Sequence, residues 1–369
     1  MNAQSVKVKG QGDVECEKLG KLGIATLNRP QALNALSLEM FQVLRQQILT
    51  WSRDPSVSLI VIRGAGEKAF CAGGDVKNLV LNLREHSGTS YAYDFFLQEY
   101  SLDYLIHTCC KPILVIAHGL TFGGGIGLLA GGTVRLVTSN SVLAMPEVSI
   151  GYFTDVGASY FLNRMPGKAG LFCALTAAQM SASDAIYLGL ADLALEQDQV
   201  AGLLERLSMG RLPERLDRAG LLDELKKYGA RDALLLPPSR FEQRQAEIDR
   251  LCQGSSVVEI EQNFKKLEAG EKSGFPWSLQ PFFAGSPTSV ALIFELLKRA
   301  KKLSLRECFD LELNLALEFC RRTEFIEGVR ALLIDKDKKP RWNPSRILEV
   351  DPREIETYFA GRLKIEIES

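Results

Sequence analysis

The sequence predicts an α/β fold followed by a mostly helical C-terminal region. Short β-branched runs alternate with stretches of helical periodicity in the first half of the chain. After about residue 195, strand patterns become scarce and charged segments with helical spacing predominate. The chain has 369 residues, which is long for one small domain. We therefore predict a core over residues 1–195 and a helical region over residues 196–369.

The predicted core elements follow in order along the chain. Residues 23–27 form the first predicted strand. A helix is predicted over residues 37–53, because apolar residues recur there at helical spacing and Ser37 suits an N-cap. Four further apolar or β-branched runs are predicted as strands, over residues 59–62, 112–116, 133–138 and 142–145. This alternation favours strands buried by helices.

The C-terminal region carries helix signals of a different kind. Helical segments are predicted over residues 203–227, 240–253 and 289–302. Ser304 and Glu307 form a capping box, which predicts a helix reaching about Arg322. A segment with three prolines and a glycine, residues 276–287, is predicted as a loop.

Composition narrows the class of protein. The net charge of −1 provides no field that would attract nucleic acid or an anionic membrane surface. The eight cysteines show no CxxC pairing, and most lie in apolar contexts typical of reduced core residues. Three histidines argue against a histidine-rich metal site. No apolar run approaches the ~20 residues of a membrane span, and we expect a cytoplasmic protein without a signal peptide.

Two glycine turns follow predicted strands. The first is AFCAGGD at residues 69–75, and the second is Gly123-Gly124-Gly125-Ile126-Gly127 at the start of an apolar helix. Such turns place backbone N–H groups where they can stabilise a thioester or ester oxyanion. The alternatives are a strand-to-helix turn capped by Asp75 and a helix packed so closely that only glycine fits. A nucleotide loop has less support, since neither GxGxxG nor GxxxxGK[ST] is present.

Two carboxyl groups lie in an apolar stretch shortly after the second turn. Glu147 follows Pro146, and Asp155 comes eight residues later. Desolvation by apolar neighbours raises a carboxyl pKa, which suits a general base near neutral pH. The alternative is that these residues cap helices or pair with arginine or lysine.

Three other residues are weaker candidates. Cys71 is a candidate nucleophile, but a cysteine between Phe70 and Ala72 without an obvious base fits a core position better. His118, which lies beside Gly119, also fits a structural role better than a catalytic one. Glu99 lies on a predicted helix, where a glutamate is usually solvated or paired.

At these positions the chain resembles the crotonase (enoyl-CoA hydratase/isomerase) superfamily. The resemblance covers nearly the whole chain, including a C-terminal region that shorter crotonases lack. It implies a crotonase-like superhelix of repeated ββα units that binds acyl-coenzyme A. The matching segments are NRPQALNAL (28–36), AFCAGGD (69–75), HGLTFGGGIGL (118–128), AMPEVSIGYFTDVG (144–157) and FIEGVRALLIDKDKKPRWNP (325–344).

The resemblance also implies roles for individual residues. The N–H groups of Gly74 and Gly124 would form the family's oxyanion hole. Glu147 falls on the catalytic glutamate, Asp155 on the second acidic residue, and Glu99 on a substrate-contacting glutamate of a hydrolase subgroup. The coenzyme contacts of the family fall around Ala32, Leu33 and Asp75.

One position separates the activities found in the family. Hydratases use a second glutamate where Gly127 stands, because adding water across a double bond needs two flanking acid/base groups. Gly127 therefore favours thioester hydrolysis over hydration. Two departures from the hydrolase subgroup flank Asp155, with Thr154 in place of the usual proline and Ala158 in place of a glycine. They bear on substrate preference more than on reaction class.

The resemblance thus implies a thioester hydrolase acting on a short branched 3-hydroxyacyl-CoA. The expected substrate is 3-hydroxyisobutyryl-CoA from valine breakdown, with Glu147 as general base or as nucleophile. No metal or redox cofactor is implied, since coenzyme A is part of the substrate. An enoyl-CoA hydratase or isomerase and a non-catalytic acyl-CoA-binding protein are the alternatives. A trimer-based homo-oligomer is the assembly that the family resemblance suggests.

Overall fold

The computed structural model describes residues 5–8, 12–85, 88–210, 212, 216–230, 236–270 and 274–366. The strands are β1 (Ser5–Val8), β2 (Val14–Leu19), β3 (Leu22–Leu27), β4 (Leu59–Gly64), β5 (Ala69–Cys71), β6 (Ile113–Ala117), β7 (Leu120–Phe122), β8 (Val134–Thr138), β9 (Val142–Ala144) and β10 (Leu193–Leu195).

The helices alternate with these strands and then continue beyond them. They are α1 (Leu38–Arg53), α2 (Val76–Glu85), α3 (Ser90–Thr108), α4 (Gly124–Ala130), α5 (Ala158–Phe161), α6 (Ala169–Thr176), α7 (Ala182–Tyr187), α8 (Val200–Met209), α9 (Arg218–Lys227), α10 (Arg240–Leu251), α11 (Val257–Ala269), α12 (Gln280–Ala284), α13 (Pro287–Ala300), α14 (Leu305–Cys320), α15 (Thr323–Val329) and α16 (Pro352–Tyr358). Short 3-10 or π turns lie between some of them.

Two sheets are built from the strands. The larger has the order β1-β2-β3-β4-β6-β8-β10, and the smaller has the order β5-β7-β9. The pairs β1–β2 and β2–β3 are antiparallel, whereas β3–β4, β4–β6, β6–β8 and β8–β10 are parallel. From β4 to β9, successive strands of the chain alternate between the larger and the smaller sheet, whereas β1, β2, β3 and β10 all belong to the larger one.

This alternation produces the predicted ββα repeat. The pair β4 and β5 leads into α2, and the pair β6 and β7 leads into α4. The pair β8 and β9 leads into a 3-10 turn, Glu147–Ile150, and then into α5. The first strand of each pair joins the larger sheet and the second joins the smaller one. The α/β crotonase-like prediction is confirmed in this arrangement.

The chain forms two compact units. The first comprises the described parts of Met1–Gly74, Ser101–Leu143 and Met180–Ser239, and the second comprises those of Asp75–Tyr100, Ala144–Gln179 and Arg240–Ser369. The predicted division at residue 195 rests on the loss of strand patterns after that residue, and it stays a prediction. The last strand in the described residues ends at Leu195, so the later described segments are helices, turns and loops.

The core of the first unit lies between the larger sheet and α8 and α9. Alternate residues of its strands are fully buried against leucines of these two helices. Burying each such side chain contributes about 1.5–3 kcal/mol. The side chains in contact include Ile24, Val61, Leu114, Leu136, Leu193, Leu203, Leu207, Leu221 and Leu225.

The core of the second unit is rich in aromatic rings. Tyr152 packs against Phe96 in a stacked arrangement with centroids 5.8 Å apart, and against Phe325 at 4.7 Å. Phe172 contacts Trp277 edge to face at 5.5 Å. Aromatic pairs at these separations add stability beyond the area that they bury.

Most predicted elements are confirmed, and two predictions are wrong in detail. The predicted helical segment 203–227 contains two helices, because α8 ends at Met209 and its C-cap residue Gly210 has an extended backbone, with a ψ of 154°. The predicted loop 276–287 contains the short helix α12, with Pro281 in its first turn, where proline fits a helix. Ser37 caps α1 and Ser304 and Glu307 form the capping box of α14, as predicted.

All eight cysteines are free thiols, and six of them are buried. Among the helices that the structure describes, none is both long enough and apolar enough to cross a lipid bilayer.

Asn34 anchors the loop between β3 and α1. Its side chain is fully buried, and its amide donates to the carbonyl oxygens of Ala65 and Ala69, both at 2.9 Å. Its Oδ1 accepts the Arg29 N–H at 2.9 Å. Asn34 also adopts a positive φ of 55°, which asparagine tolerates better than most residues. One side chain thus ties this loop to the connection that precedes the first glycine turn.

We expect Asn34→Ala to lower the free energy of unfolding by about 2–4 kcal/mol, because one buried and two partly buried backbone groups lose their partners. Urea unfolding followed by circular dichroism measures this. The matched control is Asn28→Ala, which removes one solvent-exposed hydrogen bond to Glu15 and should cost less than about 0.5 kcal/mol. Equal losses for the two variants would contradict the anchoring role.

Candidate active site

The two predicted glycine turns are neighbours in the first unit. A Cβ placed on Gly73 would lie 3.2 Å from the Phe122 carbonyl oxygen and 3.5 Å from the Gly124 nitrogen. Gly73 also has a φ of +100°, a conformation that side chains rarely adopt. The fold therefore brings the turn before Gly74 against the turn before Gly124. The role of these two N–H groups as oxyanion donors stays a prediction.

The second turn opens the short helix α4. Gly123 is its N-cap, and its carbonyl oxygen accepts the N–H groups of Ile126 at 2.8 Å and Gly127 at 3.2 Å. As the first residue of the helix, Gly124 has no acceptor for its N–H within the helix. A Cβ on Gly125 would lie 2.5 Å from the Cys71 carbonyl oxygen. Close packing and an N–H group without an acceptor inside the helix are thus two properties of the same turn.

The residues expected to contact the coenzyme occupy two places. Leu33 has a positive φ of 52°, and its carbonyl oxygen accepts the Ala72 N–H at 3.0 Å, while Ala32 ends the 3-10 turn before it. Asp75 precedes α2 and accepts the Asn78 N–H at 3.3 Å. The structure therefore shows Asp75 as the helix cap that was its alternative role. Coenzyme binding by these three residues stays a prediction.

Glu147 begins the 3-10 turn that follows β9. Gly151 ends this turn with a φ of +68°, and a Cβ there would lie 2.4 Å from the Glu324 carbonyl oxygen. The Glu147 side chain is only 5% exposed. Its Oε2 has no hydrogen-bond partner within the part of the chain that the structure describes. A buried carboxyl oxygen without a partner is available to a substrate or a water molecule.

Asp155 lies in the same compact unit as Glu147, and its hydrogen-bond donor is an uncharged tyrosine hydroxyl. The Tyr100 hydroxyl donates to its Oδ2 at 2.6 Å, and the Tyr152 hydroxyl lies 3.4 Å from the Tyr100 hydroxyl. Asp155 is 6% exposed. Val156 follows with a φ of +56°, which is unusual for a β-branched residue.

Burial sets the protonation behaviour of this acid pair. It raises the pKa of Asp155 to about 7, although hydrogen bonds from Tyr100 and Tyr152 counteract part of the rise. Burial and repulsion by Asp155 raise the pKa of Glu147 well above its usual range. A carboxyl group with a pKa of about 7, as Asp155 has, can take up and release a proton near neutral pH, which acid/base catalysis requires.

The structure tests one alternative role of the acidic residues, which is pairing with arginine or lysine. Neither Glu147 nor Asp155 forms an ion pair with arginine or lysine in the described ranges of the chain. Glu99, for which a solvated position was one expectation, is instead buried on α3 at 4% exposure. Its contact with a substrate stays a prediction.

Cys71 and His118, the two weaker catalytic candidates, lie among backbone groups of the core. The Gly73 N–H donates to the Cys71 sulfur at 3.4 Å, inside the first glycine turn. Burial lowers the pKa of His118, and its carbonyl oxygen accepts the Phe70 N–H at 2.7 Å. Both residues therefore fit the core role rather than the catalytic one.

Sequence reasoning missed three residues near Asp155. Tyr100 and Tyr152 are aromatic residues in apolar segments, where nothing separates them from core residues. Glu312 on α14 accepts hydrogen bonds from the Asp155 loop, and it lies 155 residues from Gly157 in the sequence. Only a fold-level pairing of α14 with this loop reveals its position.

A family model described as enoyl-CoA hydratase/isomerase matches residues 22–359. The chain belongs to this family. The match includes both glycine turns, the acid pair and most of the helical C-terminal region, so it covers every element described above as part of the candidate site.

Relatives in this family share nearly the full length of the chain. The Danio rerio protein named 3-hydroxyisobutyryl-CoA hydrolase, mitochondrial, is 38% identical over 354 residues, which are 96% of this chain and 91% of that one. The Homo sapiens protein of the same name is 36% identical, covering 94% of this chain and 88% of its own. Both of these relatives are named as mitochondrial proteins, and the cytoplasmic location expected for this chain stays a prediction.

Solved structures of the family extend the comparison. A crystal structure of a carnitinyl-CoA dehydratase from Mycobacterium thermoresistibile has a TM-score of 0.87 and 32% identity, covering 97% of this chain and all of its own. An enoyl-CoA hydratase from Rhodobacter sphaeroides 2.4.1 has a TM-score of 0.82 and 34% identity, covering 95% and 97%. The family fold is therefore shown over almost the entire chain.

We expect Gly125→Ala to destabilise the protein by about 1–3 kcal/mol, because the added methyl group would overlap the Cys71 carbonyl. Thermal unfolding measures the loss. The control is Gly202→Ala in α8, where the nearest atom is 3.9 Å away and alanine should be neutral or stabilising. A Gly125→Ala variant as stable as this control would show that α4 does not need its close contact with β5.

Proposed function

We propose that this enzyme hydrolyses the thioester bond of a short branched 3-hydroxyacyl-CoA, with 3-hydroxyisobutyryl-CoA as its substrate. The observation that carries the proposal is the buried acid pair Glu147 and Asp155, whose pKa values lie above the usual carboxyl range. Similarity over nearly the full length to proteins named 3-hydroxyisobutyryl-CoA hydrolase supports the acyl group. The proposal places the enzyme in valine breakdown.

The first chemical step is attack of water on the thioester carbon. Glu147 in its ionised form takes one proton from the water as its oxygen bonds to that carbon. The backbone N–H groups of Gly74 and Gly124 donate to the oxygen that becomes negative. Direct attack by Glu147, which forms an anhydride that water then opens, is the second route to the same products.

The second step is collapse of the tetrahedral intermediate. The carbon–sulfur bond breaks, and the thiolate of coenzyme A takes up the proton held by the acid pair. The products are the free 3-hydroxy acid and the coenzyme A thiol. The coenzyme belongs to the substrate, so the proposal requires no separate cofactor.

Recognition of the 3-hydroxyl group is assigned to Asp155 and Glu99. Asp155 is fixed by the Tyr100 hydroxyl at 2.6 Å, which makes it a rigid acceptor. Glu99 precedes Tyr100 on α3 and is also buried. A substrate hydroxyl that satisfies buried acceptors is strongly preferred over an analogue that lacks it.

An enoyl-CoA hydratase is the second candidate function. The two crystal structures described above carry hydratase and dehydratase names, which favour it. Gly127 argues against it, because this buried residue of α4 has no side chain to act as a second acid/base group. Activity on both substrate types therefore decides between the two.

We expect Glu147→Gln to reduce thiol release from 3-hydroxyisobutyryl-CoA by about 10²–10⁴-fold, because glutamine cannot accept a proton from water. Steady-state assays with a thiol reagent measure this. Wild type should cleave the thioester faster than it hydrates crotonyl-CoA, which is followed by loss of enoyl absorbance.

Glu324→Gln is the matched control for this variant. Glu324 is also 5% exposed, but its carboxyl group bonds to Ser286 and to the Asn343 N–H. Its replacement should lower stability while leaving thiol release within about threefold of wild type. Near-normal thiol release by Glu147→Gln, or faster hydration than hydrolysis by wild type, would refute the proposal.

We expect Tyr100→Phe to move the acidic limb of the kcat/KM profile to higher pH by roughly 1–2 units. The Tyr100 hydroxyl stabilises ionised Asp155, so its loss raises the pKa of that carboxyl group further. The activity therefore appears at higher pH than in wild type. Tyr160→Phe, at a partly exposed ring stacked on Arg164, should leave the limb in place. If the acidic limb of the Tyr100→Phe profile stayed at the wild-type pH, ionisation of Asp155 would not control kcat/KM.

A further inference from the structure

The carboxyl group of Glu312 is an unusual feature of α14. It is fully buried, at 0% exposure, in the middle of the helix. Its Oε2 accepts the Gly157 N–H at 2.7 Å, and its Oε1 accepts the Ser159 N–H at 3.0 Å and the Ser159 hydroxyl at 2.5 Å. Three donors from one short segment thus converge on one side chain. A buried carboxyl group is costly unless its acceptors are filled in this way.

The segment that Glu312 binds follows Asp155 directly. Val156 and Gly157 have φ angles of +56° and +82°, so two consecutive residues are left-handed. A β-branched residue in this region is strained and persists only where its surroundings determine it. A Cβ on Gly157 would lie 2.9 Å from the Phe309 ring, which belongs to the same helix as Glu312.

The turn also determines where Asp155 lies. The Ala158 N–H bonds to the Asp155 carbonyl oxygen at 2.9 Å, so the backbone of Asp155 is part of the turn that Glu312 holds. On its other side the Asp155 carboxyl group accepts the Tyr100 hydroxyl at 2.6 Å. Relaxation of the strained turn would move the carboxyl group away from this hydroxyl, because one backbone segment carries both.

We propose that Glu312 is a positioning residue, which holds the Val156–Ser159 turn so that Asp155 keeps its place beside Tyr100. The inference rests on the proposed function where it assigns Asp155 to the 3-hydroxyl group. Of the two departures from the hydrolase subgroup, Thr154 precedes this turn and Ala158 lies within it. Glu312 supplies from α14 the restraint that a proline at position 154 would supply locally.

The electrostatic surroundings of the turn agree with this role. Burial raises the pKa of Glu312 to about 8, and repulsion between Glu312 and Asp155 contributes to the rise. Donation from Ser159 and Gly157 counteracts part of it. Other titratable groups that interact with this cluster include Glu99 and Tyr100 on α3, Glu147 and Tyr152 before Asp155, and Cys308 and Cys320 on α14.

The test compares two thioesters in wild type and in Glu312→Gln. One is 3-hydroxyisobutyryl-CoA, and the other is isobutyryl-CoA, which lacks the hydroxyl group. Glutamine presents only one oxygen, so it cannot accept from both Gly157 and Ser159 through separate oxygens. We expect the preference for the hydroxylated thioester, as a ratio of kcat/KM values, to fall roughly 10-fold or more.

Glu324→Gln is again the matched control, since it removes a buried carboxyl group that accepts from a serine and a backbone N–H elsewhere. It should lower Tm and leave the preference unchanged. Ser159→Ala removes one of the three donors and should reduce the preference by a smaller factor. An unchanged preference in both Glu312→Gln and Ser159→Ala would overturn the proposal, and so would an equal loss in the Glu324→Gln control.

A second measurement does not depend on activity. If Glu312 and Asp155 both act through the Val156–Ser159 turn, the Tm losses of Glu312→Gln and Asp155→Asn should be non-additive in the double variant. Additive losses would overturn the positioning role. A wild type that cleaves neither thioester, together with non-additive losses, would refute the proposed function while supporting the role of Glu312.

Discussion

Burial of carboxyl groups against neutral donors is the constraint on which the second unit depends. Asp155 accepts from a tyrosine, Glu312 from a serine and two backbone N–H groups, and Glu324 from a serine and one backbone N–H. An arginine or lysine in these places would hold the carboxyl group ionised at all ordinary pH values. Hydroxyl and amide donors provide hydrogen bonds to the carboxyl oxygens, and they still allow the carboxyl group to gain and lose a proton. The same kind of surroundings thus holds Glu312 and Glu324, which bind backbone and serine donors, and Asp155, whose pKa rises to about 7.

The same constraint explains why the aromatic cluster surrounds the acids. Tyr152 contacts Phe96, Phe319 and Phe325, and Tyr100 lies 6.1 Å from Phe309 between ring centroids. These rings exclude water, which raises the carboxyl pKa values, while two of them carry the hydroxyl groups that limit the rise. Packing and acid strength are thus set by the same side chains, so neither can change alone.

Local patterns revealed much of the fold and part of the site. Strands such as β4 and β6 and the caps at Ser37 and Ser304 depend on neighbouring residues, so the sequence contains their signals. Glu147 was identifiable because it follows a proline in an apolar stretch. Glu312 was not, because its partners lie 155 and 153 residues away and a glutamate in a helix is usually solvated. Asn34 was missed similarly, since its function comes from carbonyl groups on a separate strand connection.

The errors of detail have local physical causes as well. Apolar spacing continues through residues 203–227, but the extended backbone of Gly210, with a ψ of 154°, ends α8. Three prolines suggested a loop over residues 276–287, yet a proline in a first turn leaves the helical hydrogen bonds intact.

The contact between Gly125 and Cys71 has a consequence for how this family can vary. The two glycine turns meet through main-chain atoms, so the N–H groups that they present are peptide groups held by peptide groups. A peptide donor has no ionisable proton in the physiological range, and a side-chain substitution cannot delete it. Evolutionary drift at nearby positions therefore leaves the donors intact, while the glycines themselves tolerate almost no replacement. A pH response within the carboxyl range therefore originates in acidic residues such as Glu147 and Asp155, not in these two turns.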